Sequence, residues 1–157
     1  MKKIKFLLPF FMALILGIST AKSQDDEKGR VTLPTFSKNY LYAGEKLKSG
    51  EKLISTNKAY VLFMQSDGNL CVYKSNNGTL GAFVWGAYQT AQYSLGAGYY
   101  STMQTDGNLA IYDLNNSFKW GSYQVKNYSL AAGYRLVLTD GGKLNILNSS
   151  GGVVWVN

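Results

Sequence analysis

The sequence predicts an all-β domain made of three repeats packed around a shared core. Three observations carry that prediction. Trp85, Trp120 and Trp155 are evenly spaced, and each closes a similar stretch of chain, which marks repeated supersecondary units. Within a unit the residues alternate: Leu70 and Val72 against Asn69, Cys71 and Tyr73, then Leu109 and Ile111 against Asn108, Ala110 and Tyr112. A period of two is the mark of a half-buried strand. Asp-Gly pairs at 67–68, 106–107 and 140–141 supply tight turns or bulges beside those strands.

The chain opens with Lys2, Lys3 and Lys5, an apolar run from Phe6 to Ile18, and the small-residue stretch Ala21-Lys22-Ser23. This is the pattern of a signal peptide over residues 1–23. The run is short for a bilayer span and no second one follows, so the expectation is a secreted protein that does not cross a membrane. Residues 24–38 are polar, with acidic residues at the front, and read as a flexible lead-in. The repeat domain occupies 39–157. Its units run from Val61 to Tyr73, Tyr100 to Tyr112 and Tyr134 to Leu147, closing at the three tryptophans. A second marker, Tyr93-Ser94-Leu95-Gly96-Ala97-Gly98, returns as Tyr128-Ser129-Leu130-Ala131-Ala132-Gly133, with Ser49-Gly50-Glu51 as its expected first-unit counterpart. A small sheet cannot bury its own face, so three units imply packing about a pseudo-threefold axis. The tryptophans are the expected central filling, since each buries a large area and can still pair its indole N–H.

Sixteen Lys+Arg against nine Asp+Glu give +7, but Lys2, Lys3, Lys5 and Lys22 belong to the leader. The remaining bases are scattered, which argues against a nucleic-acid partner. Cys71 is the only cysteine and there is no His. No intrachain disulfide can form, and the usual general base and commonest metal ligand are missing. No cofactor and no metal site is expected.

Gln65, Asp67, Asn69, Cys71 and Tyr73 form one row, and Gln104, Asp106, Asn108, Ala110 and Tyr112 repeat it. Two-residue spacing sets the Asn, the small apolar residue and the Tyr on one face, and the Asp-Gly bend swings Gln and Asp toward them. Such a row offers donors and acceptors around one apolar step. A pyranose presents the matching pattern, a fan of hydroxyls around C–H patches. The carboxylate makes the stronger, charge-assisted bond. Asp-Gly-Asn alone is ordinary turn chemistry. Turn chemistry does not explain why the Gln before it and the Tyr after it recur together. In the third unit, reading Gly142 as an insertion keeps Leu144 and Ile146 core-facing and leaves Leu138, Asp140, Lys143, Asn145 and Leu147 as the outward row. An ungapped register is expected to bury Lys143 and Asn145, which is costly. Two carbohydrate-binding sites are expected, not three.

The stretches Asn39-Tyr40-Leu41-Tyr42-Ala43-Gly44-Glu45-Lys46-Leu47, Met64-Gln65-x-Asp67-x-Asn69-Leu70 and Met103-Gln104-Thr105-Asp106-Gly107-Asn108-Leu109 closely resemble the bulb-type (monocot, snowdrop-like) mannose-binding lectins, over roughly 39–157. The resemblance implies a β-prism II fold, three four-stranded sheets with pseudo-threefold symmetry, and metal-free sites for mannose-type glycans. It implies that Asp67 and Asn69 bond the axial 2-hydroxyl, Gln65 the 3-hydroxyl and Tyr73 the 4-hydroxyl. Gln104, Asp106, Asn108 and Tyr112 would repeat that set. The family's apolar Val is Cys71 in one row and Ala110 in the other, so the second site is expected to bind more weakly. The disulfide that members often carry beside the first motif is absent. Members commonly form a homodimer by exchanging the C-terminal strand, a role open to Gly151-Gly152-Val153-Val154-Trp155-Val156.

The expectation is therefore a secreted lectin rather than an enzyme. A glycosidase needs a second carboxylate and each row supplies one; Cys71 has no His to act as its base. The alternative is a lectin-like bacteriocin, although that family usually carries two prism domains in tandem and this chain has room for one.

Overall fold

The computed structural model describes residues 38–76 and 79–157. The expected signal peptide (1–23) and residues 24–37 of the lead-in lie outside the described residues.

Three very short strands come first: β1 (Tyr40–Tyr42), β2 (Lys46–Lys48) and β3 (Lys52–Ile54). Each buries its central leucine completely, Leu41, Leu47 and Leu53. Gly44 and Gly50 turn the chain between them with φ of +88° and +86°. At the same turns Glu45 and Glu51 fold back to accept the backbone N–H of Tyr42 (2.7 Å) and Lys48 (2.8 Å). Ser49-Gly50-Glu51 is thus the repeat of Ala43-Gly44-Glu45 and not, as expected, of the Tyr93–Gly98 marker. It carries the chain from one outer strand to the next.

The rest of the chain forms three units. The first holds β4 (Tyr60–Met64), β5 (Leu70–Asn76), β6 (Thr79–Gly86) and a single helical turn, α1 (Ala87–Thr90). The second holds β7 (Tyr100–Met103), β8 (Leu109–Tyr112), β9 (Phe118–Gly121) and α2 (Ser122–Val125). The third holds β10 (Arg135–Leu138), β11 (Leu144–Leu147) and β12 (Val153–Val156). Each unit takes one outer strand, giving three four-stranded sheets in the orders β3-β4-β5-β6, β2-β7-β8-β9 and β1-β10-β11-β12. All pairings between neighbouring strands are antiparallel. This is the expected all-β architecture. The first and last strands share a sheet, and β12 pairs with β11 of its own chain through Ile146 and Trp155.

The three indoles meet on the inside, each pair edge to face with ring centres 6.0, 6.4 and 6.5 Å apart. That is the favoured geometry for aromatic groups, whose positive edges seek negative faces. Trp120 donates its Nε1 proton to Thr90 Oγ1 (2.9 Å). Trp155 Nε1 is buried with no partner among the described residues. The fourth residue of α2, where α1 has Thr90, is Val125.

The hairpin closing each second strand pair is identical in length. Leu138 pairs with Leu144 as Met64 pairs with Leu70 and Met103 with Leu109. Gly142 adopts φ +76° where Gly68 and Gly107 adopt +92°. Thr139 N–H bonds Lys143 O as Gln65 N–H bonds Asn69 O and Gln104 N–H bonds Asn108 O. The expected insertion at Gly142 is therefore wrong. The outward row of the third unit is Thr139, Gly141, Lys143, Asn145 and Leu147, and Leu138 is a fully buried core residue. Lys143 is exposed, so the ungapped register costs less than expected. The cost that remains falls on Asn145 Oδ1, buried with no partner among the described residues.

An aromatic ring from the neighbouring unit covers each of these glycines. Tyr99 lies over Gly68, Tyr134 over Gly107 and Tyr60 over Gly142. A Cβ at Gly68 would stand 2.5 Å from Tyr99 Cδ2, and one at Gly107 2.6 Å from Tyr134 Cδ2. Unit one thus leans on unit two, two on three, and three back on one.

Candidate functional site

In the first sheet the structure brings the five predicted residues together at the β4–β5 hairpin. Gln65 follows β4, Asp67 and Asn69 sit in the turn, and Cys71 and Tyr73 lie on β5. Asp67 Oδ1 accepts the backbone N–H of Asn69 (3.0 Å), which folds the turn, and the Asp67 side chain is exposed. Gln65 Nε2 donates to Tyr73 Oη (2.8 Å), and Gln65 Oε1 accepts from the Cys71 thiol (3.1 Å). Asn69 is 6 % exposed, and its Oδ1 accepts the N–H of Tyr88 in α1 (3.1 Å).

The second row repeats this geometry. Gln104 Nε2 donates to Tyr112 Oη (2.8 Å) and Asp106 Oδ1 accepts Asn108 N–H (2.9 Å). Asn108 Oδ1 accepts from Tyr123 N–H and from Ser122 Oγ, both at 3.1 Å. One bond is missing: Ala110 has no group to offer Gln104 Oε1 where Cys71 binds Gln65. The third row lacks the set altogether. Thr139, Gly141 and Leu147 stand at the Gln, Asp and Tyr places, and Asp140 instead accepts the N–H of Asn57 across units (2.8 Å).

The internal bonds decide what each row can still offer. The Asn carbonyl is engaged, so the amide has only its N–H protons left to offer. In the first row one Gln65 Nε2 proton goes to Tyr73, and one Asn69 Nδ2 proton leans toward Gln89 Oε1 at 3.4 Å. A full carboxylate oxygen, one proton each on Asn69 and Gln65, and the Tyr73 hydroxyl proton remain. Burial beside Cys71 pushes the Tyr73 phenol up, so that proton is held at neutral pH. The expected apolar step is nearly covered: Cys71 is 1 % exposed and Ala110 is fully buried. Burial also pushes the Cys71 thiol up to about 12, so no thiolate forms at neutral pH. Among the described residues no group of three or more His, Cys, Asp or Glu could hold a metal ion.

Sequence reasoning missed the support behind each row. Tyr93 Oη donates to Gly68 O (3.1 Å) and Tyr128 Oη to Gly107 O (3.0 Å), tying each turn to the following loop. The Gln89 amide folds over Gly86, and Gln124 folds likewise over Gly121. The signal was present, since Trp85-Gly86-Ala87-Tyr88-Gln89 returns as Trp120-Gly121-Ser122-Tyr123-Gln124.

No family model matches the sequence, and no curated protein matches it by sequence. Solved structures do. The lectin of Polygonatum cyrtonema, complexed with monomannoside, is 32% identical, with 74% of this chain and 93% of that one covered and a TM-score of 0.56. The chain belongs to the bulb-type mannose-binding lectin family. Other members align equally well: the snowdrop (Galanthus nivalis) agglutinin complexed with methyl-α-D-mannoside at 29% identity, over 70% of this chain and 89% of that one, TM-score 0.55. Monomeric mannose-binding lectins of Gastrodia elata align at 28% identity over 75% and 94%, TM-score 0.59. The three sheets are those of the β-prism II fold seen in these neighbours. As a bulb-type lectin the chain is a carbohydrate-binding protein and not an enzyme.

Proposed function

We propose that this bulb-type lectin is exported and binds mannose or mannose-containing glycans through two sites, Gln65, Asp67, Asn69, Cys71 and Tyr73 in one and Gln104, Asp106, Asn108, Ala110 and Tyr112 in the other. The observation that carries the reading is the repeated bonding pattern. Both rows share the Gln-to-Tyr bond, the Asp-closed turn and the Asn-to-helix bond, and differ at the thiol that only the first row has, while the third unit has none of the set. A carboxylate oxygen beside an amide donor suits the axial 2-hydroxyl, which both accepts and donates. The second Gln proton and the phenol then meet the neighbouring hydroxyls. Cofactor and metal have no part in this arrangement.

The sites are unequal. Cys71 steadies Gln65 from behind and Ala110 leaves Gln104 without that bond, so site one binds more tightly. β12 completes its own sheet, so the closed chain presents both sites without strand exchange. Exchange would place the same strand on a partner's β11, and a mass measurement in solution separates the two forms. Among the described residues no helix is long and apolar enough to cross a membrane. The test of the function is a glycan array. Binding confined to mannose-terminated glycans supports the reading, and failure to bind any of them overturns it. Killing of related bacteria in an overlay assay would move the role to the bacteriocin alternative.

A further inference from the structure

Beside each intact row stands an exposed phenylalanine. Phe83 on β6 is the cross-strand partner of Tyr73, and Phe118 on β9 is that of Tyr112. Each meets its tyrosine edge to face at 78°, with ring centres 5.7 and 5.8 Å apart. Yet the two rings stay 49 % and 46 % exposed, on strands at the edge of their sheets. The third sheet provides an internal comparison. There the same register holds Leu147 against Val153, so the aromatic pair is absent where the polar row is absent. A scattered exposed apolar residue is ordinary. Here the aromatic ring is present in both units that keep the polar row and missing from the one that lost it.

We propose that Phe83 and Phe118 form a second subsite at the tyrosine end of each row, an aromatic shelf for the neutral pyranose ring joined to the sugar that the row holds. This rests on the mannose-site reading above. The negative face of a benzene ring attracts polarised C–H groups, and a pyranose presents a patch of them on one face. The shelf bears no charge and no hydrogen-bonding group, so it selects for a ring surface rather than for a hydroxyl pattern. It also lies against the tyrosine whose hydroxyl closes the row, so a glycan spanning both keeps continuous contact. Such sites pair a few placed polar groups with an apolar wall.

The test titrates the full chain with methyl α-D-mannoside and with a branched α-mannotriose, in wild type, in the Phe83→Ala/Phe118→Ala pair, and in the Phe83→Trp/Phe118→Trp pair. Wild type is expected to bind the triose about tenfold more tightly than the monosaccharide after correction for its number of ends, the gain expected of one aromatic contact. The alanine pair should lose most of that preference and the tryptophan pair should retain it. Should the alanine pair fail to fold, Phe83→Leu/Phe118→Leu keeps the apolar cross-strand contact while removing the aromatic face, and it should lose the preference too. A purely structural role would lower thermal stability and weaken both ligands equally. A triose preference that survives in the alanine or leucine pair overturns the proposal, as does a wild type with no preference. Failure of wild type to bind either ligand overturns the underlying site reading instead.

Discussion

Asn69 and Asn108 each do two jobs with the two ends of one amide. The oxygen holds α1 or α2 in place through a backbone N–H, and the nitrogen keeps its protons for other partners, Gln89 Oε1 among them in the first row. Aspartate copies the first job and not the second. Asn69→Asp keeps the acceptor for Tyr88 N–H but buries a charge beside Asp67, so it should lower the melting temperature more at neutral than at acid pH and, through loss of the donor, cut mannoside affinity at its site by about tenfold or more. Asn69→Leu should instead cost about 1–3 kcal/mol of stability, because Tyr88 N–H loses its acceptor. Parallel thermal melts and titrations separate the two. The unequal sites give a second residue-scale expectation. With site one blocked by Cys71→Arg, Ala110→Cys should tighten site two by supplying the thiol proton that Gln104 Oε1 lacks; an unchanged affinity would remove the explanation.

At the level of elements, the helical turns and the outer strands carry measurable bonds. Thr90 in α1 satisfies Trp120, whereas Val125 stands at the matching place in α2 and Trp155 Nε1 has no partner among the described residues. Val125→Thr should stabilise the chain by about 1 kcal/mol, a rise of a few degrees in a thermal melt. The turn between β1 and β2 depends on an ionised Glu45. Burial alone would raise its pKa, but Lys38 (2.6 Å) and the Tyr42 N–H outweigh that and hold the carboxyl below its usual value. A depressed folded value means this contribution is complete above the unfolded carboxylate pKa of about 4.3 and fades as pH falls through the folded one. Glu45→Gln should accordingly flatten the acid limb of a stability-versus-pH curve. The sequence revealed the middle strands and the paired rows, because their alternation runs long enough to detect. It hid β1, β2 and β3, since Leu41, Leu47 and Leu53 each sit alone in a three-residue strand with no period to read. It also misplaced the third hairpin. Gly141 and Gly142 both suit a positive φ on sequence grounds, and it is Gly142, under the ring of Tyr60, that adopts it.

On the scale of the whole molecule, the three units differ in function more than in form. Each keeps its hairpin glycine under a neighbour's tyrosine, and each keeps its tryptophan at the centre, so the third unit survives as the keystone of a closed ring. A chain with two sites gains avidity only on a surface that displays many glycans, where the second contact becomes intramolecular. Mannan beads should therefore retain the wild type far longer than a variant with one row disabled, and dissociation from the beads measures that difference. The central claim, two working rows and one lost, is tested most directly by an NMR titration with methyl α-D-mannoside. The side-chain amides of Gln65, Asn69, Gln104 and Asn108 should shift along two binding curves while residues 139–147 stay still, and Asp67→Asn and Asp106→Asn should each silence their own set. Shifts centred on residues 139–147, or still amides in both rows at saturating sugar, would contradict it.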